Sequence, residues 1–160
     1  MKTIFRAIAQ KLKSDIAGVF VDFWNNQPAK QAENVLLTPA VFLEFADINF
    51  SYQSSGVQTA SVKLNTHIVL ECYSDSFEGA ESQEQALVLY DFVEQVYLSL
   101  QGFSQDNFTA LNRIALKTDS NYDNVLIFEI SWEFIWIDNS KALAEASLYD
   151  TLTPDISVNP

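Results

Sequence analysis

Two long stretches of alternating side chains constrain this chain more than any other feature of its sequence. From Gln58 to Tyr73, Ala60, Val62, Leu64, Ile68, Leu70 and Cys72 fall on one face of an extended chain, with Thr59, Ser61, Lys63, Asn65, His67 and Glu71 on the other. From Val125 to Asp138, Leu126, Phe128, Ile130, Trp132, Phe134 and Trp136 share one face, while Glu129, Ser131 and Glu133 wet the middle of the other. Period-two patterning marks β-strands with one buried face. Parallel sheets read as unbroken apolar runs, so the expected architecture is α+β: an antiparallel or mixed sheet with helices on one side.

These strands are long. At about 3.3 Å per residue they reach about 53 and 46 Å, against a radius of gyration of about 15 Å for a chain of this size. Either their ends project beyond the core, or a bulge divides each strand, at Asn65 or Ser131. A projecting ribbon that carries Trp132, Phe134 and Trp136 needs a covering surface, which makes those three residues candidates for a subunit interface.

Two helices can supply the cover. Ile4, Phe5, Ile8, Leu12 and Ile16 recur at spacings of three and four and line one face of a helix over residues 2 to 16. Ser82-Gln83-Glu84-Gln85 is a capping-box pattern, and Ala86, Leu89, Tyr90, Val93, Val96, Tyr97 and Leu100 repeat at helical spacing behind it. Gly102 then provides the left-handed stop. Val19 to Trp24 reads as a short strand that Asn25-Asn26-Gln27-Pro28 breaks. Beyond Pro39, Val41, Leu43 and Phe45 alternate with Phe42, Glu44 and Ala46 as a further strand, and Arg113 to Lys117 as another. Residues 1–138 are thus expected to form one α+β domain. Residues 139–160, with Pro154, Pro160 and one short helix around Ala142 to Leu148, read as a C-terminal extension or arm.

Composition limits the partners. Apolar residues make up 48% of the 160, so a core is affordable. Nine basic residues against 21 acidic give a net charge of -12, which repels phosphate and disfavours sequence-specific nucleic acid binding. Four of the nine, Lys2, Arg6, Lys11 and Lys13, lie before position 14. They mark a membrane-surface helix, an interaction arm or, the preferred reading, a solvated basic helix face, and as an arm they join the candidate subunit interface. Lys11 and Lys13 interrupt any signal-peptide core, and no apolar run is long enough to span a membrane. Cys72 is the single cysteine, so no internal disulfide forms.

Candidate chemistry finds little support. Asp119-Ser120-Asn121-Tyr122-Asp123-Asn124 opens like a calcium loop, but Asn124 stands where Gly is needed and Ile130 where a bidentate Glu is needed. A turn explains it better. Asp75, Glu78, Glu81 and Glu84 cluster before a helix, where the helix dipole stabilises carboxylates; the functional alternative is a small carboxylate-dependent hydrolase. His67 is the single histidine, and Cys72, five residues on, falls on the opposite strand face. No catalytic residue, cofactor or metal is expected.

The element order resembles the tail terminator or tail-completion proteins of long-tailed bacteriophages. Ile68-Val69-Leu70-Glu71-Cys72-Tyr73-Ser74-Asp75 followed by Ala86-Leu87-Val88-Leu89-Tyr90-Asp91-Phe92-Val93 looks like the strand-to-helix passage of phage minor tail proteins. Asp119-Ser120-Asn121-Tyr122-Asp123-Asn124-Val125 is similar to what such proteins show near their ends. The likeness spans roughly residues 1 to 138. It implies a non-enzymatic virion protein, assembled in the bacterial host cytoplasm, that forms a ring, commonly sixfold, at the head-proximal end of the tail. Such a ring ends tail-tube polymerisation and touches the tail-tube and head connector proteins. A head–tail connector subunit and a cap of a contractile injection apparatus are alternatives of the same physics.

Overall fold

The computed structural model describes residues 1–30, 37–54, 56–71, 77–81, 83–119, 125–144 and 146. In chain order these form α1 (Lys2–Asp15), β1 (Phe20–Phe23), a 3₁₀ turn (Gln27–Lys30), β2 (Ala40–Ser54), β3 (Val57–Glu71), α2 (Gln83–Leu100), β4 (Asn112–Asp119) and β5 (Val125–Asp138). The five strands make one sheet in the order β1-β2-β3-β5-β4. Only β1 and β2 pair in parallel, so the sheet is mixed and the fold α+β, as the strand patterns imply.

Helix α1 buries Ile4, Ala7, Ile8 and Leu12, and its last turn runs into extended backbone at Ile16. Helix α2 buries Val93, Val96 and Leu100 and stops at Gly102, whose φ of 78° suits glycine. Both helices pack on the sheet face that carries Val41, Leu43, Val62, Leu64, Ile68, Phe128, Ile130, Trp132 and Phe134. The β2–β3 hairpin turns through Gly56, at a φ of 80°. A Cβ there would come within 3.1 Å of Ala142 N, where the chain begins a helical turn after β5. The remainder of the short helix expected around Ala142 to Leu148 lies mostly outside the described residues, as do Cys72, Ser82 and the turn at 120–124.

Three expectations are corrected. The strand after Pro39, whose alternation is read from Val41 to Ala46, is a third long one and runs fifteen residues from Ala40 to Ser54. Its pattern is obscured by irregularities between Phe45 and Asp47 and between Tyr52 and Ser54, each of which shifts the phase of alternation. The bulges do not lie at Asn65 or Ser131, because β3 and β5 pair in unbroken register from Gln58↔Asp138 to Glu71↔Val125. The irregularities fall instead in the partner strands, at the two points in β2 and between Arg113 and Ala115 in β4.

The third correction concerns the ribbon. Trp132, Phe134 and Trp136 are 0%, 3% and 9% exposed and belong to the core. Trp132 donates its indole N–H to Thr66 Oγ1 at 3.1 Å and stacks with Tyr97 of α2. Phe108, from the segment between α2 and β4, packs on Phe134, and Phe50 of β2 meets the edge of Trp136. The same segment caps the distal edge of β5: Thr109 N donates to Ile135 O, and Ile137 N donates to Asn107 O, both at 2.9 Å. The chain thus covers its own tryptophan face and pairs its own strand edge. The apolar side chains that stay exposed here are Phe50 and Tyr52 near the hairpin turn, together with Ile135 and Ile137 on the other sheet face.

Candidate subunit interface

The polar groups around His67, the single histidine, come first. On the sheet face away from the helices, Trp24 lies over His67 with ring centroids 3.9 Å apart. The imidazole Nε2 is 2.8 Å from Glu44 Oε2, and Nδ1 is 3.8 Å from Glu129 Oε2. Asn65 donates to the same Glu44 oxygen and accepts from the Ser131 hydroxyl at 2.9 Å, while Lys117 Nζ sits 3.8 Å from Glu129 Oε1. His67 therefore occupies the strand face expected of it, but that face is not wet there. Phe20 and Trp24 fold over a second small cluster of Ala40, Phe42, Val69, Val125 and Ile127. The Ser131 hydroxyl donates to an amide and not to the imidazole, so the network lacks the serine–histidine hydrogen bond that nucleophile activation requires. The arrangement satisfies buried polar groups and fixes strand register.

The carboxylate cluster has no such order. Asp75 lies outside the described residues, and Glu78, Glu81 and Glu84 are exposed with no hydrogen bond or ion pair to a described residue. Among the described residues no group of three histidine, cysteine or acidic side chains is placed to hold a metal. None of the helices in the described residues is long and apolar enough to cross a membrane.

The basic residues of α1 divide into two sets. Lys11 Nζ pairs with Asp15 Oδ2 at 2.9 Å and lies 5.9 Å from the Phe103 ring centroid, turned toward the α2 side. Asp15 also accepts from Ser99 Oγ of α2 at 2.9 Å, which pins the end of α1 to α2. The Lys11 bond, then those of Ser99 and Ser14, hold the Asp15 carboxyl below its usual value of 3.8. Because its pKa is lowered in the folded state, this carboxylate adds stability above pH 4 that disappears as pH falls through the folded value. Asp15→Asn should therefore lower the melting temperature at pH 6 and converge on the parent as pH falls through that lowered value. Equal melting-temperature differences at both ends would dissociate the pin from the carboxylate charge.

Lys2, Arg6 and Lys13 form the other set. At 3.6 residues per turn they align within about 40° of one another, opposite the buried face of α1. All three are exposed and make no ion pair with a described residue. Of the seven candidate interface residues, these three remain on the surface, Lys11 is tied down internally, and the three aromatics are core.

A surface legible in the sequence was missed. The outward side of α2 carries Glu84, Asp91 and Glu94, all exposed, interleaved with Leu87, Val88 and Leu98 at 49%, 58% and 66% exposure. Its signal was the apolar excess of the helix: Leu87, Val88 and Leu98 fall outside the stripe that faces the sheet. Beside it, Val88, Leu89 and Phe92 join Thr38, Pro39, Leu70 and Glu71 around an open hollow of about 260 Å³.

No protein-family model matches the chain, and no curated protein is similar to it in sequence. Among solved structures the chain is similar to one in the virion of a native gene transfer agent particle, with a TM-score of 0.56 and 13% identity. The match covers 83% of this chain and 94% of that one. At that identity the likeness is one of fold, an α+β sheet-and-helix architecture shared along nearly the full length of the other chain.

Proposed function

We infer that this chain is a structural protein of a phage-like virion, placed at the head-proximal end of the tail. There it forms a ring that ends tail-tube polymerisation and joins the tail to the head connector. The observation that carries this reading is the fold shared with a chain of a gene transfer agent virion over most of both lengths. Two features of the surface support it. The β2–β3 hairpin exposes Phe50 and Tyr52 near its turn, and α2 exposes Leu87, Val88 and Leu98. Exposed apolar surface of that kind marks protein contacts. The function requires no catalysis: the ring acts by matching the shape and charge of the tube below and the connector above.

Removing the gene from the genome that encodes the particle tests the reading. Tails of uncontrolled length and heads without tails are the expected result. Joined particles with tails of normal length would overturn it. Imaging the intact particle gives a second check, since the chain should be found as a closed ring at the tail–head junction. Isolated copies elsewhere, together with a purified chain that stays monomeric at every salt concentration in native mass spectrometry, would sink the ring.

A further inference from the structure

Resting on the ring reading, we propose that neighbouring copies of this chain meet helix to helix, the basic stripe of α1 on one copy docking onto the acidic and aliphatic face of α2 on the next. Lys2, Arg6 and Lys13 are the cationic half of the contact, and Glu84, Asp91 and Glu94 the anionic half. The two stripes match in length. Lys2 to Lys13 spans about 16 Å of helix and Glu84 to Glu94 about 15 Å, at 1.5 Å per residue.

They also match in chemistry. Leu87, Val88 and Leu98 are exposed among the carboxylates of α2, and the aliphatic stems of lysine and arginine cover such side chains while their charged ends reach acidic neighbours. Neither stripe has an ion-pair partner among the described residues of its own chain. The α1 stripe is turned away from α2, since it is Lys11, on the opposite side of α1, that reaches Asp15 and Phe103. A contact between two different patches is heterologous, the class of contact that builds a ring when its repeated rotation closes and an open filament when it does not.

The contact explains how a chain with a net charge of -12 can sit beside copies of itself. Outside this stripe the chain is acidic, and bodies of like charge repel over distances that about 0.1 M salt screens to about 10 Å. Docked charges at contact distance lie well inside that length and are screened far less.

The experiment uses the full chain in about 0.15 M salt, with assembly followed by sedimentation and native mass spectrometry. One variant is K2E/R6E/K13E and another is E84K/D91K/E94K. Each reversal changes the net charge by two, so the first variant becomes more acidic than the parent and the second less acidic. If bulk charge governed assembly, the two would change in opposite directions. Docking between the stripes predicts that both lose self-association by about tenfold or more. It further predicts that an equimolar mixture of the two, or one chain carrying all six changes, regains it. All six side chains are exposed, and unchanged melting curves will show that the variants fold.

Assembly of either triple variant at the parent's level, or a mixture that fails to recover, overturns the α1–α2 contact and leaves the ring reading standing. A parent chain that never assembles, in solution or on the particle, overturns both.

Discussion

Trp132→Ala is expected to destabilise the chain by about 3–5 kcal/mol, a large part of the roughly 5–15 kcal/mol that holds a typical domain folded. Trp132 is the largest fully buried side chain, set on the central pair of strands β3 and β5 beneath α2. Removing it leaves a cavity bounded by both layers, and sheet and helix cannot both move in to fill it. The change also removes the indole N–H that Thr66 Oγ1 accepts, although that hydroxyl still donates to Ile130 O at 3.3 Å. Trp132→Phe separates the two losses. It keeps much of the ring volume and removes the donor, and should cost about 1–2 kcal/mol. Chemical denaturation of the parent and both variants measures the differences. An alanine variant within about 1 kcal/mol of the parent would mean that this tryptophan does not sit where sheet and helix meet.

The second large effect concerns the orientation of α2. Val93 is buried against the sheet, and Val93→Asp places a carboxylate there with no cationic partner among the buried described residues. The expected cost is on the order of 3–5 kcal/mol, since the charge must be desolvated or protonated, or the helix must lift away. Leu98→Asp is the matched control. It lies five residues along the same helix, at 66% exposure, and should change stability by no more than about 0.5 kcal/mol. Thermal melts of the two variants beside the parent read the contrast. Equal destabilisation, or a Leu98 effect larger than that of Val93, would mean that the helix is rotated from the face assigned here.

Much of this fold is legible in the chain because alternation and helical spacing are local. Every apolar residue assigned to the α1 face is in the core or packed against it, and α2 begins and ends within one residue of its sequence signals. The faces of β3 and β5 are likewise as read, confirmed by the pairing of Val62 with Phe134 and Leu64 with Trp132. Strand β2 was foreshortened because its core residues change parity. Val41, Leu43 and Phe45 occupy odd positions, and after the irregularity at Phe45 the core side passes to Ile48 and then to Phe50, which is half exposed and meets Trp136. A reader who counts in twos loses the strand where the bulge adds one.

The candidate interface was less legible, because exposure is not a local property. That Trp132, Phe134 and Trp136 share one face follows from the extended backbone alone, which sends every second side chain the same way. That this face is closed depends on Phe50, on Phe108 and on α2, which the fold brings to it from distant parts of the chain. His67 is the same case on the opposite side: its strand position assigns its face, and Trp24, forty-three residues earlier, decides that it is buried. The sequence by itself determined the helical faces of α1 and α2, the faces of β3 and β5, and how far those two strands reach. Only the tertiary structure decided which faces remain open, because cover comes from segments whose meeting costs chain entropy and is repaid by the burial of both partners. What it left open is a basic stripe on α1 and an acidic, aliphatic stripe on α2.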